Sequence, residues 1–136
     1  MARTEDTMTG DGSVEATITG VSSGRIFGLS NANEDWPMPE FGFFAAQNGT
    51  LFIWERNDSP HTVGSYSDGD SIEVERDGGV IKYYHNCSLV YTSTHITTAP
   101  LVGDVAFYAG SNQLDEIGMS LPAAPQIFHP TWSNNH

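Results

Sequence analysis

Two glutamates, Glu73 and Glu75, stand two residues apart in the run S-I-E-V-E-R at 71–76. On a strand that spacing puts both carboxyls on one face, and a pair of carboxyls facing a cleft is what glycoside hydrolysis uses. The run supplies nothing else that a sugar cleft needs. No aromatic or amide residues flank the pair, and the alternating Ile72 and Val74 describe an ordinary strand with its glutamates in solvent. Catalysis is not expected from it.

Oxygen-bearing side chains recur at Asn31, Asn33 and Asp35, with Glu34 between them. Calcium takes about six to eight oxygen ligands, so a calcium loop here would have to recruit Asp104, Asp115 or main-chain carbonyls. An Asx-rich turn without metal explains the same residues more simply, and no cofactor is expected. His61, His85, His95, His129 and His136 lack a ligand spacing such as H-x-x-x-H and read as isolated surface or turn residues. There is no Ser-His-Asp or Cys-His arrangement to argue, and no glycine-rich stretch between a strand and a helix to hold phosphate.

Aromatic residues are the remaining chemistry. Sugars stack on exposed rings while neighbouring Asp and Asn side chains bond their hydroxyls. Trp36, Trp54, Tyr66 and Tyr83, with Asn33, Asp35, Asp68 and Asp70, are therefore the candidate glycan site. The opposing reading places most of these rings, Trp54 above all, in core or cross-strand packing, which leaves one or two to face a ligand.

The elements that must position these groups are strands. At 136 residues the chain makes one domain. Residues 13–20 alternate Val14, Ala16 and Ile18 with Glu15, Thr17 and Thr19, the period of a half-buried strand. Residues 25–30 form a second strand, and 31–39, with two prolines and no periodicity, a loop. Strands at 40–46 and 50–56 meet at Gln47-Asn48-Gly49, a strong hairpin signal. Because both faces of that hairpin are apolar, it is expected mid-sheet and covered on both sides. An edge strand at 62–66 leads into a meander of 71–76, 80–85 and 89–92, punctuated by Asp68-Gly69-Asp70, Asp77-Gly78-Gly79 and Asn86-Cys87-Ser88. Residues 94–103 read as a Thr/Pro connection, followed by strands at 104–109 and 113–119. No helical periodicity occurs, so the class is all-β, an antiparallel β-sandwich of the jelly-roll kind.

The ends differ from this middle. Residues 1–12 are polar and read as a flexible arm with no means of burying itself; 13–120 is the sandwich; 121–136 is an extended arm in which Pro122, Pro125 and Pro130 forbid a helix while Ile127, Phe128 and Trp132 call for an apolar groove. A net charge of −12 opposes binding to nucleic acid and to anionic membranes. A single cysteine rules out an internal disulfide. The first residues show no apolar stretch of a secretory leader. The three glycosylation-type triplets beginning at Asn48, Asn57 and Asn86 are read as chance matches in turns.

The segments G-L-S-N-A-N at 28–33, N-G-T-L-F-I-W-E at 48–55, Y-S-D-G-D-S-I-E-V at 66–74, V-I-K-Y-Y-H-N at 80–86 and L-V-Y-T-S at 89–93 together resemble a concanavalin A-like jelly roll. The likeness is to the small lectin-like or SPRY-like modules of bacterial surface proteins and phage virion proteins. It spans Val14 to Met119 and leaves out both arms. The family pattern at the last turn is Y-x-K-N-G, with Gly at the positive-φ corner, whereas this chain has His85 and Cys87 at the Lys and Gly positions. The resemblance implies a non-catalytic role. The expected one is a structural and recognition element of a virion or particle surface, such as a capsid decoration or tail protein. Its arms would dock on neighbouring subunits of a homo-oligomer. The alternative is a cell-surface lectin or adhesin domain binding a glycan, and a glycoside hydrolase is a distant third.

Overall fold

A computed structural model describes residues 2–3, 7–18, 24–34, 39–56, 58–109 and 119–120, with backbone only for 2–3, 107–109 and 119–120. Among the described residues eleven strands follow one another. They are β1 (Ala2–Arg3), β2 (Gly12–Ile18), β3 (Gly24–Asn31), β4 (Phe41–Ala45), β5 (Thr50–Glu55), β6 (His61–Ser65), β7 (Ser71–Asp77), β8 (Val80–His85), β9 (Ser88–Ile96), β10 (Leu101–Ala109) and β11 (Met119–Ser120). They form a six-stranded sheet in the order β1-β10-β3-β4-β5-β6 and a five-stranded sheet in the order β11-β2-β7-β8-β9. Every pairing among them is antiparallel. No helix occurs among the described residues, and the architecture is the expected all-β jelly-roll sandwich.

The core lies between the sheets and follows from period-two alternation. Leu51 and Ile53 on β5, Ile72 and Val74 on β7, and Ile81 and Tyr83 on β8 point inward. Phe43 and Tyr83 join the two layers edge to face, with ring centroids 5.4 Å apart; burying side chains of this size contributes roughly 1.5–3 kcal/mol each. The central hairpin differs from expectation on its outer face. Phe44, Phe52 and Trp54 are half-buried and pack mainly on each other, with Phe44 and Phe52 stacked at 5.7 Å and Phe44 and Trp54 at 6.4 Å.

Residues 94–103 are mostly strand rather than connection. β9 runs on to Ile96, which pairs with Val80, and β10 begins at Leu101 opposite Asn31. The β-branched side chains of Thr94 and Ile96 and the apolar pair Leu101-Val102 prevail, and Pro100 merely separates the two strands. The segment expected to be an unanchored arm is also tied down where it is described. Met8 is 1% exposed and exchanges both backbone bonds with Leu101, at 2.7 and 2.9 Å, while β1 pairs with β10. Residues 121–136, and most of the strand expected at 113–119, lie outside the described residues.

The anchor of that N-terminal segment is Arg76, 2% exposed on β7. Its guanidinium donates to the carbonyls of Gly10 (3.0 and 2.9 Å), Met8 (3.2 Å), Ala99 (2.6 Å) and Thr97 (3.3 Å). One side chain thus fastens the N-terminal segment and the β9–β10 connection to the sheet.

The β8–β9 hairpin turns at Asn86 (φ 51°) and Cys87 (φ 69°), both left-handed, as a two-residue loop of this kind requires. Cys87 therefore occupies the corner the family pattern gives to glycine, at a steric cost on the order of 1 kcal/mol. Cys87→Gly is expected to stabilise the domain by about that amount, read as a higher urea midpoint with an unchanged slope.

Candidate functional site

β5 carries Leu51, Ile53 and Glu55 on its inward face, so its period of two drives a carboxylate into the sandwich where an aliphatic side chain is expected. Glu55 is 4% exposed, and a charge removed from water needs partners. The opposite sheet supplies two hydroxyls: Tyr83 donates to Oε2 at 2.8 Å and Ser93 to Oε1 at 3.0 Å. Burial nevertheless pushes the Glu55 carboxyl above its ordinary range, against the pull of those two donors and of nearby His95. Tyr83 is pushed well up by its own burial and then by the adjacent Glu55 charge.

β9 and the loop after β5 complete the cluster. His95 Nε2 lies 2.8 Å from Asp58 Oδ2, and the His95 backbone N–H donates to Ser93 Oγ at 3.0 Å. Asp58 is set by its own N–H, which donates to the Glu55 carbonyl at 3.1 Å. Beside the cluster is a cavity of about 200 Å³ lined by Glu40, Phe41, Glu55, Arg56, His95 and Thr97, with Ile96, 72% exposed, on its wall. Arg56 is held by Glu34, Nη1 to Oε1 at 2.5 Å, and its backbone N–H donates to the Glu40 carbonyl at 3.0 Å. The cavity combines acceptors, a guanidinium, an imidazole and an apolar wall at one end of the sandwich.

Of the residues expected to form a glycan site, the described ones do not converge there. Tyr83 enters the cluster, but as a fully buried hydroxyl donor under Glu55, so no ligand can stack on its ring. Tyr66 is also core. It is 5% exposed, lies under the Arg25 guanidinium at 5.8 Å, and donates its hydroxyl to the Ala46 carbonyl. Trp54 is half-buried on the outer face of the six-stranded sheet. Asn33 and Asp68 are exposed on separate turns, and Asp35 and Trp36 lie outside the described residues. Of the suspected calcium loop, Asn31 Oδ1 accepts the Asn33 N–H at 2.9 Å in an Asx turn, and Asp104 is buried against the Ser30 hydroxyl at 2.8 Å. Glu73 and Glu75 share the outer face of β7 as expected, accepting from Ser13 Oγ (2.6 Å) and Tyr84 OH (3.1 Å).

Asp70 is a turn anchor. Its carboxylate accepts the Ser67 N–H at 3.0 Å and sits 2.8 Å from His85 Nε2. Partial burial pushes its pKa up, but the Ser67 N–H and the His85 and Asn86 side chains outweigh that and hold it below the usual range. A depressed carboxylate contributes stability that is complete above the unfolded value, near 3.9 for Asp, and that is lost as pH falls through the lower folded value. The gap in melting temperature between the parent and Asp70→Asn is therefore expected to be open at about pH 5 and to close on acidification toward pH 2.

Glu55, Asp58 and His95 were legible only in part. Glu55 shows itself as a charge at an inward position of an apolar strand. His95 and Asp58 are 37 residues apart, and only the sandwich brings them together.

No family model matches the chain, and no curated protein does. Among solved structures it is similar to sheep galectin-11 in complex with glycerol, at 6% identity and a TM-score of 0.46 over 76% of this chain and 92% of that one. It is also similar to the carbohydrate-binding module CBM66 from Bacillus subtilis, at 15% identity and a TM-score of 0.40 over 76% of this chain and 74% of that one.

Proposed function

We propose that this chain is a carbohydrate-recognition domain that holds one sugar ring in the cavity beside Glu55. The cavity's lining is the observation that supports the reading. Glu40 and His95 offer acceptors and Arg56 and Thr97 donors for ring hydroxyls, while the Phe41 and Ile96 surfaces suit the apolar face of a pyranose. At about 200 Å³ it is smaller than the roughly 300–1,000 Å³ that encloses a drug-sized ligand, which suits a terminal residue with the rest of the glycan in solvent. An acidic surface favours neutral or amino sugars over sulfated ones. Such a role belongs at a cell or particle surface. The particle-assembly reading depended on Ile127, Phe128 and Trp132, which lie outside the described residues, and no described contact favours it.

A broad glycan array tests the proposal. The parent protein is expected to select a small set of glycans sharing one terminal sugar. Arg56→Met and Glu40→Gln are expected to lose at least about tenfold in affinity, one charge-assisted hydrogen bond's worth, with unchanged melting curves. Silence across the array would count against it.

A further inference from the structure

We infer that Glu55, Asp58 and His95 form a binding site for one divalent cation of the zinc class, opening onto the cavity of about 200 Å³. The cluster mixes one imidazole with two carboxylates, and one ligand atom from each lies within 4.8 Å of the others. Around a tetrahedral ion bound at the roughly 2.0–2.2 Å typical of zinc with nitrogen and oxygen ligands, neighbouring ligand atoms are about 3.4 Å apart. Small side-chain movements therefore close the site.

Three further features fit an ion. Glu55 is buried while its two described donors, Tyr83 and Ser93, are neutral hydroxyls, so a cation would supply the charge that the carboxylate lacks. Those same hydroxyls fix the carboxylate's orientation, as outer partners of metal ligands do. Glu55 and His95 both line the cavity, which provides a path of entry and room for water or a sugar hydroxyl in a remaining coordination position. Binding replaces the His95–Asp58 hydrogen bond by two bonds to the ion. His95 then ligates through Nε2 with its proton on Nδ1, and any proton displaced from the cluster passes to solvent. An imidazole donor and only three protein ligands disfavour calcium and magnesium, which prefer six or more oxygens.

The site does not depend on the sugar reading, although sharing the cavity would let the ion contribute to sugar binding. Calorimetry on chelator-treated full-length protein tests it with zinc chloride, and with calcium chloride as the contrast. One zinc per chain is expected, with a rise in melting temperature and no calcium signal. Asp58→Asn and His95→Ala, both at solvent-accessible positions, should each weaken zinc by more than the roughly 10–100-fold that loss of an outer partner costs, with circular dichroism unchanged. Absence of stoichiometric zinc binding, or equal binding by parent and both variants, would overturn the inference. Arg56→Met keeps the two readings separable. It retains zinc whatever the glycan array shows, so a silent array removes the sugar reading alone and absent zinc binding removes the cation site alone.

Discussion

Arg76→Ala is expected to lower stability by about 3–5 kcal/mol, the range for removing one partner from a buried, hydrogen-bonded charge network. For a domain whose total stability falls within the usual ~5–15 kcal/mol, that brings the protein to the edge of unfolding. The cause is the set of carbonyls on Met8, Gly10, Thr97 and Ala99, all of which take their side-chain donors from this guanidinium. Its removal strips the buried Met8 carbonyl and the part-buried carbonyls of Gly10, Thr97 and Ala99 of their charged donor and loosens the N-terminal segment and the β9–β10 connection from the sheet. Burial lowers the Arg76 pKa, with Asp11 opposing, yet a guanidinium remains charged at any pH the fold survives. Arg76→Lys should recover less than half of the loss, since an ammonium cannot reach four carbonyls from a planar fork. Urea unfolding of the three proteins measures both effects, and equal midpoints for the parent and Arg76→Ala would refute the account.

Gly28→Ala is the second large effect. A methyl group there would lie 1.9 Å from the Phe41 carbonyl oxygen and 2.6 Å from Gly42 Cα. Both are backbone atoms, so no rotamer change relieves the contact and β3 must separate from β4. Overpacking a filled site ordinarily costs about 1–3 kcal/mol, and a rigid neighbour puts this position at the top of that range or above it. Gly10 meets nothing within 4 Å, so Gly10→Ala is the matched control and should leave the urea midpoint nearly unchanged. Gly28 also bears on the site, because β4 begins at Phe41 and carries the cavity's Glu40 edge beside it.

The meander was legible because its turns are written in Gly, Asn and Asp and its strands in strict alternation. Ile72 and Val74 then fall on the inner face without further information. Cys87 was legible too, as a residue at a corner meant for glycine. Residues 94–103 were obscured because threonine and proline suggest a connection, while the β-branching of Thr94 and Ile96 matters only once β8 is there to pair with. Met8 could not be recognised as core from its polar neighbours, since its place in the core cluster goes with its backbone pairing to Leu101, 93 residues on. The site was the least legible feature. Sugar-binding logic selects aromatic residues, yet Tyr66 and Tyr83 serve as core and hydrogen-bond donors. The groups that do converge come from the end of β5, the loop after it and the far edge of the other sheet. Linear spacing of histidines carries no information about a pair such as His95 and Asp58, because sheet packing sets their distance.

On the proposed reading, this protein meets its ligand at the end of the sandwich between β5 and β9. Amide shift mapping by NMR tests it most directly, with 15N-labelled protein titrated with the glycan that the array selects. Saturable shifts confined to residues 40–41, 55–58 and 93–97 are predicted. Shifts centred on the outer faces of either sheet, or none at saturating glycan, would contradict it.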